Sequence, residues 1–470
     1  MLLPVRSLYS RGRCWILLVA PFLSLVVLHL LLRSYTRVNS TLLKDFLPDD
    51  SSTDNGTAGH GCRPLPGMED VLVVLKTGVT EALDKVPVHL QTTLRCVPHY
   101  VVISDFEEKV SGVWTRDVLR NVTHDVKQTV PEFDIYNRVQ KSGRGGLSQA
   151  DFGDDYNGPF GRINNPGWRL DKWKFLPMID VALAVHPTAK WYVFMEADTY
   201  LMWPNLIAWL SQLDASRPLY LGCQMQIGEV IFGHGGSGFV ISNPAMRKVS
   251  KYRASHMKEL DQLTASQWAG DCVLGKVLAD VGVPLTWSWP MLQGSRPWDL
   301  DHFGEGYNKK TWCHPVISYH HMTPADIEEL WRFDQEWFQM DKPKTKILLH
   351  NDVFRELILP NILTPRADWD NLSEDPATAT VEGGSDSNSN HLSSFDDCEK
   401  QCHNDAKCLQ YAFHSDGRCL TSKVVKRGVR VSKNASSSTS TVRSGWMTDR
   451  ILPLAEKLDA ACSKPDWVFP

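Results

Sequence analysis

Three runs of apolar, largely β-branched residues set the architecture of this chain: Val71–Leu75 (VLVVL), Tyr100–Ile103 (YVVI) and Trp191–Met195 (WYVFM). None of them alternates with polar residues, so each suits a strand buried on both faces, as in a parallel sheet. Each stops on polar residues, at Lys76-Thr77-Gly78, Ser104-Asp105 and Glu196-Ala197-Asp198. Between the second and third runs, Leu170–Val185 (LDKWKFLPMIDVALAV) has apolar residues at helical spacing, with Pro177 set to kink the helix or divide it in two. Strand–helix alternation of this kind predicts an α/β domain, which extends over residues 67–365.

The flanks are of a different kind. Residues 14–32 (CWILLVAPFLSLVVLHLLL) form an apolar run long enough to cross a bilayer, preceded by Arg6, Arg11 and Arg13. The basic flank predicts a cytosolic tail (1–13), a signal anchor (14–32), a polar stem (33–66) and a lumenal remainder. A cleaved signal peptide fits less well, because the run is long and Arg33-Ser34-Tyr35 is no small-residue cleavage site. Ten of the 11 cysteines follow the anchor, an even number suited to disulfides in an oxidising compartment. Asn-x-Ser/Thr acceptors stand at Asn39, Asn55, Asn121, Asn371 and Asn434. Together these features predict a single-pass Golgi membrane protein with its main domain in the lumen. Residues 366–392 have linker composition, and residues 393–470 carry the spacing Cys398-x3-Cys402-x5-Cys408-x10-Cys419, which by itself leaves three pairings open. A metal finger fits these spacings poorly. The net charge of −4, without a basic stripe, excludes nucleic acid as partner.

The chemistry concentrates in four segments. In Glu196-Ala197-Asp198 the two carboxylates lie two residues apart, so an extended chain turns both to one face at a strand's carboxyl end. Hard oxygen donors there suit Mn or Mg, although a polar strand end capping a turn has the same pattern. Gly233-His234-Gly235-Gly236-Ser237-Gly238 lacks the Lys-Ser/Thr of a P-loop and offers either close backbone approach to a ligand or a plain turn. Asp271, in Gly270-Asp271-Cys272, is placed either to cap a helix or to act as a general base at its start. His320, after Val316–Tyr319, is either a surface histidine or a further metal ligand.

In this order the segments YVFMEADTYLMWPNL, GHGGSGFVIS, GDCVLGKVL and VISYHH resemble glycosyltransferase family 31, the group of core 1 β1,3-galactosyltransferase and the Fringe enzymes. VLKTG and GWRLDKWKFLP bring the resemblance nearest to fungal members. It covers about residues 67–365 and implies a GT-A (Rossmann-like) fold and an inverting reaction with a UDP-sugar. In that reading Asp198 and His320 hold Mn2+ (or Mg2+), Glu196 contacts metal or ribose, and Asp271 takes the acceptor proton. Gly235, Gly236 and Gly238 lie by the donor sugar, and Thr77 and Asp105 in the nucleotide pocket. Glu196 stands where the family usually has Asp, so its reach to the ion differs. The C-terminal cysteines separately resemble a PAN/apple module, which implies Cys398–Cys419 and Cys402–Cys408 pairs. The implied activity is β1,3-transfer of galactose to N-acetylgalactosamine or a related glycan of a glycoprotein. The alternatives are Fringe-like N-acetylglucosamine transfer and an inactive carbohydrate-binding or adhesion protein.

Overall fold

The computed structural model describes residues 65–153, 162–339, 347–377, 392–431 and 441–470. An eight-stranded mixed sheet forms its centre. In chain order its strands are β1 (Val71–Lys76), β2 (Tyr100–Ser104), β3 (Lys109–Val110), β4 (Val113–Asp117), β5 (Trp191–Glu196), β6 (Tyr220–Gly222), β7 (Phe239–Ser242) and β8 (Leu285–Trp287). Across the sheet the order is β8-β6-β7-β5-β1-β2-β4-β3. The three apolar runs are therefore the neighbours β5-β1-β2, joined in parallel, and every residue of β1 is buried. Lys76 pairs in register with Glu196, so the polar ends of β1 and β5 finish side by side. Strand β7 runs antiparallel to β5, with Phe239 opposite Phe194. Its amino end, and the glycine-rich segment before it, consequently reach the same edge of the sheet.

Pro177 divides the helical segment, as its missing N–H requires. A helix over Pro166–Asp171 passes into a 3-10 turn at Lys172–Lys174, and a new helix starts at Pro177, where a first-turn proline is tolerated. Asn205, fully buried, fastens the following layer: its amide donates to Val316 O and Leu348 O, each at 2.7 Å, and accepts from Leu348 N at 3.0 Å. Beyond the sheet, Pro324–Gln339 forms a helix whose entry is a reciprocal Thr323–Asp326 cap, in which each side chain accepts from the other's backbone N–H.

The C-terminal region departs from the expected division. Residues Arg366–Ala367, Trp369–Asp370 and Asp375–Pro376, which composition assigned to a linker, pair with strands from 410–446. Strands two residues long leave no alternating pattern for the sequence to show. The module is an antiparallel five-stranded sheet packed by the helix Phe395–Asn404, and its cysteines pair Cys398–Cys419 and Cys402–Cys408. Cys313–Cys462 joins the tail to the α/β domain. Cys223 and Cys272 stay as buried thiols, contrary to full pairing, because they sit in separate apolar clusters. Asn371 is fully buried and its amide donates to Tyr411 O and Gly445 O, so this sequon cannot carry a glycan in the folded chain; Asn121 is exposed. The anchor expected at 14–32, and Asn39, Asn55 and Asn434, lie outside the described residues. Among the described residues, no helix is long and apolar enough to cross a membrane.

The tail is part of the core and not an appendage. Ile451 and Ala455 pack with Trp312, Phe354 and Ile358. Asp459 accepts from Trp312 Nε1 at 2.8 Å and pairs with Arg355, while Val468 O accepts from Trp209 Nε1 at 2.7 Å. A chain ending at residue 365 should therefore lose cooperative unfolding and become protease-sensitive throughout the α/β domain. Thermal circular dichroism checks this, and an unchanged melting transition in the shortened chain would contradict it.

Candidate active site

The site forms where β1, β5 and β7 share one edge. Its floor is ionic. Lys174 is 1% exposed, and its ammonium reaches Asp105 Oδ2 at 2.9 Å, Asp171 Oδ1 at 3.2 Å and Thr77 O at 2.7 Å. Lys76 pairs with the other oxygen of Asp171, and with Glu196 Oε1 at 3.2 Å. Burial opposes both ammonium ions, but the surrounding carboxylates hold both pKa values above the ordinary lysine value. Above this floor opens a cavity of about 430 Å³ whose walls include Lys76, Asp171, Glu196, Asp198, Asp271 and His320.

Asp198, His320 and His321 bring one oxygen and two imidazole nitrogens within 4.8 Å of one another. His320 Nε2 lies 3.2 Å from Asp198 Oδ1, and Lys85 Nζ lies 3.4 Å from Oδ2. Burial disfavours the Asp198 carboxylate, yet His320 and Lys85 hold its pKa well below the ordinary range. His320 Nδ1 is buried without a hydrogen-bond partner among the described residues. An oxygen–nitrogen donor set with an orphaned imidazole nitrogen fits a divalent ion. Glu196 stands apart from this cluster, engaged by Lys76, and burial pushes its pKa up. Its longer side chain thus meets the lysine floor, whereas His321, with a backbone φ of 61°, joins Asp198 and His320 in the cluster, where the sequence reading had placed Glu196 with them.

The glycine-rich segment is shaped by these side chains. A Cβ on Gly236 would enter the His320 ring, and one on Gly235 would lie 2.8 Å from Glu196 Oε1. Gly238 adopts φ 73°, closing a turn in which its N–H donates to Gly235 O at 2.9 Å. Thr199 Oγ1 donates to Gly236 O at 2.7 Å and ties the turn to the end of β5. From beneath, the buried His89 hydrogen-bonds Ala197 O at 2.9 Å and Thr93 Oγ1 at 2.7 Å, holding the turn between Glu196 and Asp198. His89 has no neighbouring motif residue in sequence, and its role becomes visible only through the fold.

Asp271 does not cap its helix. The helix spans Gly270–Asp280 with Ala269 at the cap position, so Asp271 lies within the first turn. Its Oδ2 accepts from Gly235 N at 2.8 Å and its Oδ1 from Cys272 N at 2.9 Å. Burial, reinforced by the charge of Glu196, raises its pKa to about 6 against those two hydrogen bonds. Thr77 and Asp105 are buried in the floor and do not line the cavity. Asp105 accepts from Val79 N at 2.8 Å and fixes Lys174, so both residues support the wall from below.

Residues 174–325 match the Fringe-like family, a span that contains Glu196, Asp198, the glycine-rich segment, Asp271 and His320. The chain is also similar to a mouse (Mus musculus) protein described as beta-1,3-glucosyltransferase, with 30% identity over 156 residues, covering 31% of this chain and 28% of the relative. The chain thus spans less than a third of that relative's length.

The contact between Gly236 and His320 gives a direct test of the cluster. Gly236→Ala should displace the imidazole and weaken Mn2+ binding by about tenfold or more, the scale expected when a ligand's orientation is lost. Titration calorimetry with MnCl2 measures this, and unchanged affinity would remove His320 from the ligand set.

Proposed function

We propose that this chain is an inverting β1,3-glycosyltransferase that moves a sugar from a UDP-sugar to a hydroxyl of a glycan or glycoprotein. The observation that carries the reading is one cavity with a carboxylate–imidazole cluster at Asp198, His320 and His321 and a separate carboxylate, Asp271, whose pKa is about 6. Galactose transferred to N-acetylgalactosamine is our first assignment. The name of the mouse relative adds glucose to the donors to be screened, and N-acetylglucosamine remains the Fringe-like alternative. An inactive carbohydrate-binding protein would have no need of a partly buried carboxylate held ready to take a proton.

Asp198, His320 and His321 would hold Mn2+ or Mg2+. When bound, the ion supplies positive charge against the donor diphosphate. Lys85, beside Asp198 on the cavity wall, adds a second positive charge there. Asp271 accepts the proton of the acceptor hydroxyl as that oxygen bonds to the sugar's anomeric carbon and the bond to the UDP oxygen breaks. A single displacement inverts the anomeric centre, so an α-linked donor yields a β-linked product. We further propose a Golgi, single-pass type II setting with this domain lumenal, and an apple-like role for the C-terminal module; the basic flank before residues 14–32 and the two module disulfides support these assignments.

Asp198→Ala should lose both UDP–Mn2+ affinity and turnover. Asp271→Asn, nearly isosteric, should keep UDP–Mn2+ binding while turnover falls by about 10²–10⁴. Calorimetry and initial rates on the same proteins separate the two roles, and near-normal turnover in Asp271→Asn would exclude it as the base.

A second expectation concerns pH. A base must be ionised to act, and Asp271 ionises only as pH rises through about 6. Turnover should therefore climb between about pH 5 and 7 and then level on this limb. A flat profile across that range, measured with saturating donor and metal, would contradict the assignment.

A further inference from the structure

Two tryptophans on the cavity wall are used by none of the steps above. Trp168 belongs to the helix Pro166–Asp171, and Trp268 lies three positions before Asp271. Their rings stack with centroids 6.1 Å apart and planes inclined by 25°. Both rings are partly buried and both line the cavity. Trp268 is backed by an apolar cluster of Phe232, Ala269 and Cys272, with Ile227 and Val230 from the neighbouring hairpin. Trp168 is fixed at its backbone, where its N–H donates to the Asn165 side chain at 3.0 Å.

The geometry points to Trp168 and Trp268 as specificity-determining residues that seat the acceptor, a pyranose ring laid with its C–H face against the indoles so that one hydroxyl meets Asp271. This inference rests on the glycosyltransferase reading and deepens it. Lys85, Asp198, His320 and His321 gather at one part of the cavity wall, which suits a diphosphate, whereas Trp268 packs on Ala269 and Cys272, the residues that flank Gly270-Asp271, and Trp168 stacks on it. A diphosphate gains nothing from an indole wall. A pyranose does, because its ring C–H groups form a flat apolar face while its hydroxyls stay at the edge, a pairing of the same kind as other aromatic contacts. A serine or threonine presented on a peptide has no comparable flat face, so a wall of two rings selects a sugar acceptor over a polypeptide hydroxyl. Support from behind matters too, since a preorganised wall pays little ordering entropy on binding.

The test uses the full chain with Mn2+ and UDP-galactose, UDP-glucose or UDP-N-acetylglucosamine. The acceptors are a panel of methyl glycosides, including methyl α-N-acetylgalactosaminide, and a serine-containing peptide. Trp268→Ala and Trp168→Ala should each raise the KM for the accepted methyl glycoside by about tenfold, with the donor KM within about twofold. Trp268→Phe should recover part of the loss. Trp114→Ala, at an exposed indole outside the cavity, should change neither constant. An unchanged acceptor KM in both alanine variants, a rise confined to the donor KM, or transfer to the peptide and to no glycoside would overturn the inference. Donor hydrolysis without acceptor distinguishes the deeper failure: if the wild-type chain hydrolyses none of the three donors and transfers to nothing, the enzymatic reading falls and the acceptor platform falls with it.

Discussion

The site depends on Lys174. An ammonium ion taken out of water costs several kcal/mol unless its donors are fully used. Here the three N–H bonds have Asp105, Asp171 and Thr77 O to meet. Those partners come from the end of β2, from the helix before the 3-10 turn and from the end of β1. None can drift without leaving a buried charge unpaired, so the ion network sets the relative positions of three segments that are far apart in sequence. Lys76 extends the constraint to β5 through Glu196. The network also explains why Glu, and not Asp, is compatible with the first position of the acidic pair: the longer chain reaches the lysine while leaving Asp198 to the histidines.

From that floor the remaining site follows by contact. Glu196 lies against Gly235, Gly235 donates its N–H to Asp271, and the neighbouring Gly236 lies against His320. Gly235 and Gly236 thus form a gauge between the Asp198–His320–His321 cluster and Asp271: they carry no side chain because neighbouring side chains occupy that space. A consequence is that the two groups are mechanically linked although they are chemically distinct. Displacing His320 also moves the backbone that hydrogen-bonds Asp271, and that hydrogen bond works against the burial that raises the carboxylate's pKa.

Much of this was legible in the sequence, for a physical reason. Buried parallel strands write themselves as unbroken apolar runs, and all three such runs became adjacent strands. Polar residues at their ends then had to lie on one edge, which brought Glu196 and Lys76 together without any knowledge of contacts. Pro177 similarly announced a helix break. What stayed hidden depended on partners remote in sequence. Thr77 and Asp105 have the composition of pocket residues, and only the position of Lys174 shows that they face inward. His321 looked like a mere neighbour of His320 until its left-handed backbone turned it toward Asp198. The short strands of 366–376 have too few residues to carry a period, and Asn371 reads as a glycan acceptor until its burial is seen.

The C-terminal region shows how far composition can mislead about independence. Its polar linker-like stretches and its two local disulfides suggest a detachable unit, since such cross-links commonly replace a core in a small domain. Yet the helix Thr448–Asp459 supplies Ile451 and Ala455 to a cluster built mainly by the α/β domain, and the last residues cap Trp209. Arg427 joins them from the module side, pairing with Glu329 at 2.8 Å and lying over the Trp298 ring at 4.4 Å. A guanidinium against an aromatic face, with a carboxylate at its edge, is a directional contact that resists sliding as well as separation. The module therefore holds one orientation toward Pro324–Gln339, and that helix begins three residues after His321. Its mounting is coupled to the cluster by rigid backbone, so the module bears on the position of the histidine pair through that helix although none of its described residues lines the cavity.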